Sequence, residues 1–269
     1  MKFSETLKHS VCWSKTSYVL LSGFLLALFL IGYVWWPLLE DYLSYINPAF
    51  PIWRQIDWLL IGNFLVMSLL IMLNADLKRD VPFVMIGLAA GFIIETWGTL
   101  SGLWTYYTFE TPPLWIIPAW PIAALSVNRL YSITKGLLHK VPEAAFQWSY
   151  SPIFGVFYIL LLIFILPALS HPLTIFSLVV CTVIILTSRA KRSALITFLA
   201  GTALGYFLER WGTTRLCWTY YTGGTPPFFT VLAHGMASVA IWRVYKIYIW
   251  VLTKFNWKTL QAITPQEMN

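Results

Sequence analysis

Charge is scarce in this sequence. Only 11% of its 269 residues are Asp, Glu, Lys or Arg, against 58% hydrophobic residues and a mean hydropathy of +0.70. A water-soluble domain carries about 25% charged residues, so an ordinary soluble fold is excluded. Cysteine is nearly absent: Cys12, Cys181 and Cys217 have no C-x-x-C spacing, which removes a disulfide framework and a thiolate metal site. Histidine is as sparse. His9, His139, His171 and His234 form no H-x-x-x-H or H-x-x-H-H pattern, which excludes the membrane di-iron oxidases. Neither a phosphate-binding glycine loop nor a dinucleotide fingerprint occurs. Asp76 and Asp80 in "NADLKRD" have no second aspartate-rich stretch to share a magnesium diphosphate with. No metal and no cofactor are expected.

What the chain has instead is long apolar runs. Eight lie near 17–39, 57–75, 81–100, 112–135, 151–168, 172–188, 193–213 and 226–252. Each approaches the 20 or so residues that a helix needs to cross about 30 Å of hydrocarbon. Continuous runs without alternation argue against a β-barrel. The fold class expected is all-α, a polytopic membrane protein of about eight transmembrane helices. The basic start "MKFSETLKHSVCWSK" leads into the first of these spans, with no small-residue cleavage site after the run.

Eight spans place fifteen of the eighteen Lys and Arg residues on one side, among them Lys2, Lys8, Lys78, Arg79, Arg129, Lys191, Arg192, Arg243 and Lys258. Arg54, Arg210 and Arg215 fall opposite. The positive-inside rule then predicts a multi-pass protein, as in a bacterial inner membrane, with both termini cytoplasmic. The net charge of +7 needs no nucleic-acid partner.

The sequence repeats. Shifted by 114 residues, positions 87–131 align without a gap on 201–245, and nineteen of the forty-five are identical. "ETWGTLSGLWTYYTFETPP" returns as "ERWGTTRLCWTYYTGGTPP". The expected organisation is a parallel 4+4 internal repeat, with one four-helix half over 1–135 and the other over 136–269. Gly87, Gly91, Glu95 and Thr99 recur every fourth residue, as do Gly201, Gly205, Glu209 and Thr213, so each set shares a helix face. Glycines on such a face predict close packing of the third and seventh spans on one another or on an equivalent partner. T-P-P predicts a helix start capped by Thr111 or Thr225.

Of the acidic residues, only Glu95 and Glu209 fall inside expected spans and not at their edges. A carboxylate at that depth must be paired, hydrated or protonated. Three roles stay open: a structural hydrogen-bonding anchor, a proton donor or acceptor in an apolar site, and a station in proton translocation. Trp97, Trp104, Trp211 and Trp218 flank the glutamates at identical offsets, and Tyr106, Tyr107, Tyr220 and Tyr221 follow. Indole and phenol faces stabilise a carbocation by about 0.5 to 2 kcal/mol each when desolvated. The copies differ at Thr96 and Arg210, at Ser101 and Arg215, and at Trp120 and His234. His234 is therefore a candidate acid–base partner of Glu209. Arg210 and Arg215 are expected either to neutralise Glu209 or to hold an anionic headgroup. On that footing Glu95 is the expected acid and Glu209 the expected base.

The stretch "GFIIETWGTLSGLWTYYTFETPPLWIIPAW" resembles the integral-membrane carotenoid hydratases and, more distantly, the membrane lycopene cyclases. Those families share an acidic residue in a span, a tyrosine-rich turn and a proline-led helix with P-x-W. The resemblance implies that Glu95 and Glu209 protonate a polyene walled by Tyr106, Tyr107 and Trp120. An apolar isoprenoid or carotenoid-like lipid is then the expected substrate, within the bilayer and without a cofactor. A proton-coupled transporter and a non-catalytic assembly factor are the competing readings.

Overall fold

The computed structural model describes residues 13–255. Lys2, Lys8, His9, Cys12 and Lys258, and with them both chain termini, lie outside the described residues. Among the described residues there are nine α-helices and one small sheet. The helices are α1 (Lys15–Val34), α2 (Trp36–Ser44), α3 (Trp58–Met72), α4 (Leu77–Leu100), α5 (Ala119–Leu137), α6 (Glu143–Ile165), α7 (Pro172–Leu186), α8 (Lys191–Thr214) and α9 (Phe228–Phe255). Strands β1 (Trp104–Tyr106) and β2 (Trp218–Tyr220) follow α4 and α8.

Four of the helices, α1, α4, α6 and α9, are long and apolar enough to cross a bilayer. α3 and α7 are apolar but have 15 residues each, about 22 Å at 1.5 Å per residue. The outward faces of α1, α6, α7 and α9 suit lipid contact: Leu26, Phe29, Ile159, Val179 and Ile247 are all exposed. Polar side chains set the helix starts. Ser14 and Ser17 form a reciprocal capping box on α1, Asp57 accepts from the Leu60 N–H at the head of α3, and Asp76 accepts from Lys78 N–H at the head of α4.

Among the described residues the chain is mostly helical, and its departure from an all-α fold is that the two W-T-Y segments pair as antiparallel strands. Two expectations are corrected. The glycine faces of α4 and α8 do not pack on one another. Each lies against the helix that follows it, α4 along α5 and α8 along α9, and the two pairs cross reciprocally through α5 with α8 and α4 with α9. T-P-P is not a capped helix start either. Thr111–Pro112 and Thr225–Pro226 are cis, and in the first copy a short 3-10 turn over Leu114–Ile116 comes before α5 begins at Ala119.

The glycines explain why those helices approach so closely. A Cβ at Gly87 would lie 2.8 Å from the Pro121 Cα, one at Gly91 would overlap the Trp120 side chain, and one at Gly205 would overlap His234. Absence of a side chain on α4 and α8 therefore brings Trp120 and His234 onto the faces that carry Glu95 and Glu209. At the opposite end of α4, Asp80 is fully buried and accepts from Arg129 at 2.5 Å and Arg79 at 3.1 Å. This pair ties α4 to α5.

Candidate functional site

Glu95 and Glu209 are each 3% exposed, one turn before the ends of α4 and α8. Identical donors hold them. Glu95 accepts from Trp104 Nε1 at 3.0 Å and Tyr106 OH at 2.9 Å; Glu209 accepts from Trp218 Nε1 at 3.0 Å and Tyr220 OH at 2.7 Å. Buried carboxylates demand such donors, because a desolvated oxygen without one costs several kcal/mol. The third partner breaks the symmetry. Trp120 Nε1 donates to Glu95 Oε1 at 3.0 Å, whereas His234 Nε2 lies 2.8 Å from Glu209 Oε1. An indole N–H only donates, but an imidazole can give or take a proton. The Trp120 and His234 rings face each other, with centroids 6.0 Å apart and planes 16° from parallel.

The strands form a lid over the two carboxylates. Their register pairs Trp104 with Tyr220, Thr105 with Thr219 and Tyr106 with Trp218. Alternation along a strand puts Trp104, Tyr106, Trp218 and Tyr220 on one face and the threonines on the other. The aromatic face carries all four lid donors to the glutamates, while Thr105 and Thr219 are exposed and bond each other at 3.1 Å. Across the lid, Trp104 packs on Tyr220 and Tyr106 on Trp218, with centroids 5.9 and 5.8 Å apart. Each carboxylate is thus enclosed by aromatic groups from both copies.

A glycine seats each tryptophan. A Cβ at Gly98 would overlap the Trp104 indole, and one at Gly212 would overlap Trp218. Gly98→Ala is therefore expected to displace Trp104, remove its bond to Glu95 and destabilise the fold by about 1–3 kcal/mol. A lowered thermal unfolding midpoint in detergent checks this; an unchanged midpoint would show that the indole does not need the glycine.

The other expected site residues lie farther out. Trp97 Nε1 donates to Thr174 Oγ1 at 3.0 Å and Trp211 Nε1 to Asp57 Oδ2 at 3.0 Å, each indole standing edge-on behind Trp104 or Trp218. Tyr107 and Tyr221 turn away from the carboxylates: their hydroxyls donate to the carbonyls of Val34 and Phe164, at the ends of α1 and α6. Arg215 does not reach Glu209. Its Nε bonds Asp57 Oδ2 at 2.9 Å, and Arg210 donates to the Thr225 carbonyl at 2.8 Å. The expectation that cations make Glu209 the base loses its footing, and the side chain that does meet Glu209 is His234.

Asp57 is a residue that sequence reasoning missed. Burial alone would raise its carboxyl, but the hydrogen bond from Arg215, the Leu60 N–H, the Arg215 charge and the Trp211 N–H together hold it below the ordinary range. A carboxyl whose folded value is depressed adds stability above its unfolded pKa, and that stability is lost as pH falls through the folded value. Stability should thus fall at acid pH below about 4, and Asp57→Asn should flatten that limb. Unfolding midpoints measured from pH 7 down to pH 3 test it; identical slopes in the two proteins would refute the assignment.

Among the described residues no three His, Cys, Asp or Glu side chains gather as a metal site. A cavity of about 20 Å³, the size of a water molecule, is lined by Trp120, His234 and mostly apolar residues of α5, α8 and α9. Comparison with family models, curated proteins and solved structures gives no match.

Proposed function

We propose that the chain is an integral-membrane enzyme that carries out acid–base chemistry on an apolar, isoprenoid-like lipid. Hydration or cyclisation of a carbon–carbon double bond fits best. The observation that carries this reading is the difference between the two buried carboxylates: one is fixed by two indoles and a phenol, while the other shares a short contact with a histidine. Glu209 and His234 form the proton-transfer couple. In a hydration, the couple delivers a proton to one alkene carbon and then takes one from the water that adds to the other. The aromatic faces around the pair stabilise the positive charge that develops between those steps. Glu95 and its donors anchor the matching half of the site. The resemblance to carotenoid hydratases supports the same substrate class.

The architecture that goes with this function is eight spans in two parallel four-helix halves. Reciprocal packing of α4 with α9 and of α5 with α8 supports it, as do the matching contacts of both glutamates. The basic ends of α4 and α8 then face the cytoplasm and the lid faces the opposite side. A membrane-impermeant thiol reagent added outside should label a cysteine placed at Glu110 and spare one placed at Lys78. The reverse pattern would invert the orientation.

Comparing lipid extracts from cells with and without the protein tests the function. A lipid that gains the mass of one water, or an isomer of altered retention, should appear only with the intact chain. Identical extracts, repeated with added polyene lipids, would leave the structural reading, which the saturation of Glu95 by three donors favours.

A further inference from the structure

We propose that Phe109, Leu216 and the segment around α2 form an apolar anchor that holds one end of the lid at the polar boundary of a lipid bilayer. The proposal rests on the membrane placement of the helices and is independent of the acid–base chemistry. Four residues flanking the lid strands have left-handed backbones: Gly102 at φ +68°, Phe109 at +58°, Leu216 at +55° and Gly223 at +68°. Offset by 114 residues, Leu216 takes the place of Gly102, and Phe109 that of Gly223. Glycine therefore serves at both turns of the repeat.

Antiparallel pairing sorts these four by type. Tyr107 N–H donates to the Cys217 carbonyl at one end of the lid, and Tyr221 N–H to the Leu103 carbonyl at the other. Phe109 and Leu216 flank the first of those bonds, and Gly102 and Gly223 flank the second. One end of the lid thus carries two large apolar side chains, and the other carries none.

Packing within the described residues does not account for the apolar pair. A left-handed backbone is strained for any residue with a Cβ. Phe109 is nevertheless 81% exposed and Leu216 62% exposed, so neither offsets that strain by burial against the fold. Room does not explain the difference between the ends either. Beyond the neighbouring residues, no atom lies within 4 Å of where a Cβ at Gly102 or Gly223 would stand. An apolar surface outside the chain supplies the missing contact.

The position of this end identifies that surface. Tyr107 OH donates to the Val34 carbonyl at the end of α1, and Arg215, next to Leu216, bonds Asp57 at the head of α3. Between Val34 and Asp57 runs the segment that holds α2, with Trp36, Leu43, Phe50, Ile52 and Trp53 all exposed. The matching link in the second half, from α6 to α7, is only a short 3-10 turn over Leu166–Ala168. Exposed Glu40, Asp41 and Arg54 lie among these apolar groups, as Glu110 and Arg215 lie beside Phe109 and Leu216. Apolar side chains mixed with charge suit the headgroup region, where the former reach the acyl chains and the latter stay in water. The last turns of α1 expose Phe29 and Tyr33, which continue the patch into the lipid-facing surface of the helices. The occupant is therefore the bilayer.

Spin labels on the full chain in phospholipid vesicles test this. Cys12→Ser and Cys181→Ala leave only Cys217, which is 2% exposed and out of reach of the labelling reagent. A labelled cysteine then replaces Phe109, Leu216, Gly102, Gly223 or Phe29 in turn. Labels at Phe109 and Leu216 should meet dissolved oxygen and lose most collisions with a water-soluble nickel chelate, which labels at Gly102 and Gly223 should keep. Equal access of the chelate to both ends overturns the anchor, and so does shielding of Phe109 and Leu216 from oxygen and chelate alike, which would mean cover by protein. The label at Phe29 separates the two ideas: if it is shielded from the chelate while the lid labels are not, only the anchor falls, and if it meets the chelate, the membrane placement falls and the anchor with it. Hydrogen exchange needs no cysteine. Phe109→Gly with Leu216→Gly copies Gly223 and Gly102 and relieves strain, so the variant should fold. In vesicles its Tyr107 amide should exchange about tenfold faster or more, with the Tyr221 amide unchanged, because the apolar hold is lost at one end only. An unchanged or slower Tyr107 amide overturns the proposal, since relief of strain alone predicts that result.

Discussion

Glu209→Gln should lower the rate of product formation by about 10² to 10⁴ and leave the protein folded, because a positioned acid–base group is lost while its shape is kept. His234→Trp should do the same for a different reason. It installs the partner that Glu95 already has, an indole that can donate to the carboxylate but cannot exchange its proton. Gly91 already accommodates a tryptophan at the matching contact, so Gly205 should accommodate this one. Glu95→Gln should cost much less activity, within about tenfold, since none of its two indole donors and one phenol donor acts as a base near neutral pH. Rates on the lipid identified from the extracts decide the matter. Equal losses for Glu95→Gln and Glu209→Gln would show that the histidine confers no special role, and full activity in both would remove the carboxylates from the chemistry.

The second large effect concerns stability. Asp80→Ala should destabilise the protein by about 3–5 kcal/mol, because it leaves the Arg129 guanidinium, 4% exposed, without its carboxylate. Removing both charges should be far milder. An Asp80→Leu, Arg129→Met double variant replaces the pair with apolar groups of similar size and should recover most of the loss. Unfolding midpoints of the single and double variants in the same detergent provide the comparison. A double variant as unstable as the single one would mean that the pair contributes through its hydrogen-bond geometry and not through charge compensation.

Much of the helical layout was legible because apolar runs of span length have few other solutions. The glutamates and their aromatic neighbours were legible for another reason: recurrence at one offset marks them twice. Strand pairing was not. Three residues of W-T-Y carry too little alternation to announce a strand, and their partner lies 114 residues away. Partner choice was hidden as well. Arg215 follows Glu209 closely in the chain, yet the end of α8 turns it toward Asp57, whose place near it depends on α3. Asp80 gave no sign of a partner in the sequence, because only the fold buries it against Arg129. Charges of opposite sign on different helices give no periodic signal, and tertiary packing alone decides which of them meet.

The register of β1 and β2 is symmetric about the Thr105–Thr219 pair. Thr105 meets its own counterpart, and Trp104 and Tyr106 meet the counterparts of each other. The next bonds outward match too, with Tyr107 N–H donating to the Cys217 carbonyl and Tyr221 N–H to the Leu103 carbonyl. Such pairing is self-complementary. Two separate molecules of a half-length ancestor could make it with a single sequence, as in a twofold-symmetric homodimer. In such a homodimer any change beside one glutamate would appear beside both. Within one chain that constraint is absent, and a histidine stands on one side while a tryptophan stands on the other.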